Sequence, residues 1–154
     1  MSTGSVLAIH TARAAGAPMA SLAEVLALPG HGLAADRYAH GVGFYSNKPE
    51  PGRHVTLIAA EALRDLERAA GIRLEPGEHR RNLVTAGVDL EALIGREFQV
   101  GHVRLYGVKP CVPCVRIAEL TGRPDLLEAL VGRGGLRTEI VRGGVIRVGD
   151  PVGD

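Results

Sequence analysis

Phe98-Gln99-Val100-Gly101-His102-Val103-Arg104-Leu105-Tyr106 is the stretch whose reading decides the fold. Two short apolar, strand-forming runs flank Gly101-His102, and an interval of two residues containing glycine makes a tight antiparallel reversal. Strands that pair directly, with no helix between them, point away from a doubly wound sheet. Working outward, this hairpin delivers the chain to Lys109-Pro110-Cys111-Val112-Pro113-Cys114-Val115-Arg116, which holds the only two cysteines. Beyond it, Val115 to Leu120 reads as a short helix, and Pro124, with Leu126, Leu127 and Leu130 behind it, starts another that ends at Gly132 to Gly135. Leu136 to Val141 and Val145 to Val148, separated by Arg142-Gly143-Gly144, read as a closing hairpin.

In the other direction, Asp89 to Leu93 reads as one helical turn with Asp89 as its N-cap, ended by Gly95. Before it, Glu78-His79-Arg80-Arg81-Asn82 carries charge straight into the apolar strand Leu83-Val84-Thr85. Two arginines at a strand's mouth suggest a grip on phosphate or carboxylate. His54 to Ile58 alternates as a strand does, and Ala59 to Ala70 then changes period, with Leu63, Leu66 and Ala70 on one face and Gly71 as C-cap. Its charged residues read as solvated surface. Glu24 to Leu28 and Val6 to Thr11 are further strands. Between Gly30 and Gly52 neither apolar period is present, and Asp36, Arg37, Tyr38 and His40 crowd into five positions. Irregular stretches of this length inside a compact domain usually carry function, so the segment is expected to wall or lid a pocket and to move with its ligand.

The totals agree with a mainly β (α+β) class: five aromatic residues against 21 glycines suggest an aliphatic core interrupted by many turns, as in a small β-barrel with a few peripheral helices. A single domain is expected over residues 1–154. A net charge of +1 offers no broad field for nucleic acid or an anionic membrane. The apolar runs fall far short of the ~20 residues that cross a bilayer. Met1 to His10 lacks the pattern of a secretory leader and two cysteines suit a reducing compartment, so the expected location is cytoplasmic.

For the cysteine pair, structural zinc would need two further ligands at close spacing, and the histidines at 10, 31, 40, 54, 79 and 102 do not provide them. A redox dithiol near a helix N-terminus, or a pair buried as small hydrophobes, stays open. Gly30-His31-Gly32 lacks the third glycine of a dinucleotide loop, and no phosphate loop is present. A soft thiolate among several arginines remains, which suits a soft metal carried on an anionic organic ligand.

At this point four stretches resemble the MOSC domain, named for the carboxy-terminal part of molybdenum cofactor sulfurases. They are Gly32 to Gly41, Arg53 to Ile58, Pro76 to Leu90, and Cys111-Val112-Pro113-Cys114, in the family's order. The resemblance implies a MOSC-type β-barrel and a molybdenum cofactor (molybdopterin) held by a thiolate. Cys114 matches the metal ligand, and Arg80 and Asn82 match the Arg-x-Asn element that holds the pterin and its phosphate. Arg37 and Thr85 are further candidates for that task. The glycine stretch departs from many members in reading Ala34-Ala35-Asp36. The implied activity is reduction of N-hydroxylated small molecules, with electrons from a separate donor protein. The alternatives are a sulfur carrier with a persulfide on Cys114, fed by a sulfur-donor protein, and a module that binds the cofactor without turnover. His40 is the candidate proton source, since histidine as a residue type exchanges protons near neutrality.

Overall fold

The computed structural model describes residues 4–43, 46, 52–111 and 115–153. In chain order its strands and helices are β1 Gly4–Thr11, β2 Ala20–Leu22, β3 Glu24–Leu28, β4 Gly32–Leu33, β5 Val55–Ala59, α1 Ala60–Ala70, β6 Leu83–Ala86, β7 Glu97–Val100, β8 Val103–Pro110, α2 Val115–Thr121, α3 Leu126–Ala129, β9 Leu136–Arg142, β10 Gly144–Arg147 and β11 Pro151–Gly153. The hairpin predicted at Gly101-His102 is present, with Val100 opposite Val103 and Phe98 opposite Leu105. Gly101 has φ 61°, and a Cβ there would lie 2.5 Å from an Asp150 carboxylate oxygen, so both the backbone and the neighbour select glycine.

Eight strands form one sheet in the order β11-β7-β8-β9-β5-β6-β1-β2, and pairing of β11 with the start of β1 closes it. With β2 outside the closure, seven strands make the barrel. Closure removes the free edges that an open sheet leaves unpaired. Inside it Phe98, Leu57, Leu83, Leu105 and Val152 are completely buried and belong to one continuous core. Each such Leu or Phe contributes about 1.5–3 kcal/mol relative to its exposed state.

All barrel pairings are antiparallel except β5 with β6, which is parallel. The crossover between these two contains α1, making a single βαβ unit in a barrel otherwise built from direct strand pairing. Gly71 caps α1 as expected, with φ 67° and its N–H bonded to the Glu67 carbonyl. Leu66 of α1 packs with Ile72, Ile117, Leu126 and Leu130 in a second apolar cluster. The helices are thus peripheral.

Several local expectations change. Leu136–Arg142 and Gly144–Arg147 do not form a hairpin: β9 lies between β5 and β8, while β10 pairs with β3 in a separate three-stranded sheet with β4. Both edges of β9 are already occupied, so the chain turns at Gly143 into the smaller sheet, where a Cβ at Gly143 would lie 2.6 Å from the Ala27 carbonyl oxygen. The turn after Asp89 is a 3-10 turn at Glu91–Leu93, with the Asp89 carboxylate accepting the Glu91 N–H at 3.1 Å. The segment from Gly30 is not irregular throughout. Gly32–Leu33 is a strand, Leu33 and Asp36 are completely buried, and the Val42 N–H is bonded to the Arg37 carbonyl at 2.9 Å. Most of the part expected to move, Gly41 to Pro51, lies outside the described residues. Among the described residues no helix is long and apolar enough to cross a membrane.

Candidate functional site

Leu83 of β6 is level with Leu57 of β5, Leu57 with Leu136 of β9, and Leu136 with Pro110 of β8. That row brings the residues before β6 and those after β8 to the same part of the barrel, although they lie far apart in sequence. The approach to β6 turns sharply. Gly77 has φ 83°, the Arg80 N–H bonds to the Gly77 carbonyl at 3.0 Å, and Arg80 itself sits at φ 65°. A non-glycine residue held there stores about 1–3 kcal/mol of strain, which persists only where the surroundings impose it.

Arg80 reaches toward the loop between β1 and β2, and its backbone meets the segment after β4. Its Nη1 donates to the Ala17 carbonyl, and its own carbonyl accepts from Arg37 Nη2 at 3.4 Å. Arg37 Nη1 lies 3.0 Å from Asp36 Oδ1, which also accepts the Ala12 N–H at 3.1 Å. The Arg37 guanidinium stands 4.9 Å from the centre of the Tyr38 ring. Burial pushes the Arg80 guanidinium down to about 10, with Arg37 adding to the shift and Asp36 and Tyr38 opposing it. It therefore remains a cation at neutral pH. Among the described residues Asp36 is ion-paired with Arg37 and acts on Arg80 through its charge, and the buried Arg37 Nε and Arg80 Nη2 have no hydrogen-bond partner.

Asn82 is spent differently. Its Oδ1 accepts from the Thr56 N–H at 3.0 Å and from the Thr56 hydroxyl at 3.2 Å, and its Nδ2 donates to the His10 carbonyl at 3.0 Å. The side chain that the family resemblance assigns to the pterin thus ties β5 and β1 to the start of β6. Thr85 is fully buried opposite Ala59, and its Oγ1 has no partner. His40 is exposed on the turn after Tyr38.

Cys111 lines a cavity of about 650 Å³ enclosed by the first turn of α1, residues 87–91 and residues 131–136. Its backbone N–H bonds to the Gly135 carbonyl at 2.7 Å. Gly135 has φ 101°, and a Cβ there would collide with the Leu57 carbonyl, so this wall sits directly on β5. Burial pushes the Cys111 thiol up, while Arg81 and Arg137 pull it down. Arg81 Nε donates to the Gly134 carbonyl at 2.7 Å. The paired arginines before β6 therefore serve two places, Arg80 the acidic cluster and Arg81 the cysteine cavity. The doublet was visible in the sequence; its division was not. Cys114, the expected metal ligand, lies outside the described residues. Among the described residues no group of three or more His, Cys, Asp or Glu side chains could hold a metal ion.

Fold and site together define a closed mixed barrel with a cysteine-lined cavity and a buried arginine cluster. The chain belongs to the MOSC domain family, whose pattern matches residues 43–153. No curated protein sequence matches it. Among solved structures it is similar to the YuaD protein from Bacillus subtilis, with a TM-score of 0.80 at 16% identity over 99% of this chain and 94% of that one. It also resembles YiiM from Geobacillus stearothermophilus (TM-score 0.75, 16% identity, 97% of this chain and 74% of that one). YiiM from Escherichia coli gives a TM-score of 0.67 at 18% identity over 99% of this chain and 69% of the other. At these identities the likeness is one of fold.

Proposed function

We propose that this MOSC protein binds a molybdenum cofactor, with Arg80 and Arg37 holding its anionic organic part and the Cys114 thiolate holding the metal, and that it reduces N-hydroxylated compounds with electrons from a separate donor protein. The observation that carries the reading is the Asp36, Arg37 and Arg80 cluster. The buried Arg37 guanidinium pairs with Asp36, the half-buried Arg80 feels both charges, and one buried nitrogen of each arginine lacks an acceptor. Leaving a buried donor unsatisfied costs about 1–3 kcal/mol, more on a charged group, and phosphate oxygens at this place would satisfy both nitrogens and balance the charge.

The residues suit the group in kind. Guanidiniums are the side chains best matched to phosphate, and a thiolate is a soft metal ligand. Thr85 has a free buried hydroxyl. Asn82 acts one step back, fixing the start of β6 through Thr56 and His10 so that Arg80 is held where it is. When bound, the cofactor supplies two-electron oxygen-atom removal; the chain supplies position, charge and exclusion of water.

The test is to purify the protein from a molybdenum-sufficient host and measure metal and pterin content. Stoichiometric molybdenum and pterin, lost in Cys114→Ser and kept in Cys111→Ser, support the reading. Absence of both, with a persulfide on Cys114 detected by mass spectrometry, would replace it with the sulfur-carrier function.

A further inference from the structure

A second cavity of roughly 650 Å³ lies on the outer face of β1 and β6, roofed by α1, and shares no lining residue with the cysteine cavity. His10 and His79 line it, 2% and 3% exposed, with ring centres 5.2 Å apart. The Ser21 hydroxyl lies 3.1 Å from His10 Nδ1. His79 Nδ1 accepts the Arg81 backbone N–H at 2.9 Å, so the ring carries its own proton on Nε2. That N–H meets no acceptor among the described residues. Ala8, Leu63, Leu74 and Val84 supply an apolar part of the wall. Arg64 and Glu67 from α1 and Arg73 and Glu75 from the following loop line it as well, and all four are exposed.

Two buried imidazoles beside this much unfilled space are a poor purely structural device, because a polar pair kept only for packing would be closed over. A metal is disfavoured by the bond at His79 Nδ1, which leaves the ring's other nitrogen protonated. A fixed N–H donor, a Ser-His pair and an apolar wall together call for a ligand with acceptor oxygens on a carbon body. We propose that this cavity binds a small organic carboxylate, its oxygens accepting from His79 Nε2 and from the His10 and Ser21 pair, its carbon part lying against Leu63, Leu74 and Val84, with Arg64 and Arg73 drawing it in. Burial lowers the proton affinity of both imidazoles, His79 to about 3. A bound carboxylate opposes that effect at His10, whose Nδ1 lies against a Ser21 hydroxyl that can accept as well as donate, so binding takes up a proton there and tightens as pH falls. Two cations and two carboxylates among the exposed lining residues, and the Arg81 N–H on His79 Nδ1, leave His10 as the group that responds.

The experiment titrates the full chain with benzoate and, separately, inorganic phosphate, following the imidazole nitrogens of His10 and His79 by NMR at pH 7 and 5.5. Benzoate is expected to shift both rings, to bind more tightly at pH 5.5, and to outbind phosphate by about tenfold or more. His79→Asn keeps an acceptor for the Arg81 N–H but removes the donor, and should weaken benzoate about tenfold. Leu63→Trp fills the cavity from α1 with both histidines intact and should abolish the shifts, thermal melting confirming that each variant is folded. Unmoved imidazoles, equal binding of phosphate, or undiminished benzoate binding in folded Leu63→Trp would overturn the proposal.

Discussion

His79 and Arg80 are neighbours in sequence and end in opposite electrostatic settings. His79 is buried beside a second histidine and the Arg81 charge, and its proton affinity falls to about 3, so it is neutral at every ordinary pH. Arg80, also withdrawn from water, falls only to about 10 and keeps its charge. Part of the contrast is intrinsic, since guanidinium starts about six units higher than imidazole. The rest is supplied by partners. Asp36 lies on the Arg80 side and raises its proton affinity, whereas no carboxylate acts on His79. Side chains three and four residues before β6 can thus be directed into one charged and one neutral region, because Arg80 adopts the left-handed conformation between His79 and Arg81.

The strongest way to break the comparison is to remove the counter-charge. Asp36→Ala leaves the buried Arg37 guanidinium without its carboxylate and beside the Arg80 charge, and stability is expected to drop by about 3–5 kcal/mol in denaturant unfolding. A loss below about 1 kcal/mol would mean that solvent already neutralises the cluster. Next comes Arg80→Gly, which removes the side chain while suiting the φ of 65°. Cofactor affinity should weaken by roughly tenfold to a hundredfold, equivalent to about 1.5–3 kcal/mol, with little loss of stability. Unchanged affinity in the folded variant would reduce Arg80 to a structural arginine.

The neutral side is sharpened by pH. Above about 6.5 His79 is unprotonated in both the folded and the unfolded chain; below that value the unfolded chain takes a proton and the folded one does not until about pH 3. The stability contribution of neutral His79 is therefore present above pH 6.5 and lost as pH falls toward 3, at about 1.4 kcal/mol per unit. His79→Asn should flatten the stability profile between pH 6.5 and 5 by that slope. Equal slopes in the two proteins would place the histidine in contact with water. The smallest effect concerns Cys111, whose thiol is pushed up by burial. It is expected to react with iodoacetamide far more slowly in the folded protein than after unfolding, as read by mass spectrometry. Equal rates would show that the thiol is open.

Much of the frame was legible because local chemistry writes it. The hairpin at Gly101-His102, the helix ended by Gly71 and the strand at Leu83 each follow from turn residues and apolar spacing, and each is present. The candidate site was legible as residue types only. Asn82 could be picked out, yet its engagement with Thr56 and His10 depends on strands brought together from distant sequence. His10 drew no functional reading, since nothing adjacent to it in the chain announces the partner it meets at His79.

By itself the sequence determined a strand-rich barrel with outlying helices, the arginine doublet before β6 and the cysteine pair after β8, because alternation, glycine turns and residue chemistry act over a few positions. Tertiary structure alone decided that β5 and β6 run parallel, that β11 closes the barrel on β1, that β10 leaves β9 for β3, and that Arg80 and Arg81 divide between two regions. The physical reason is that a strand's own residues specify which faces are apolar, whereas its neighbours are chosen by which edges remain free once the other strands have paired.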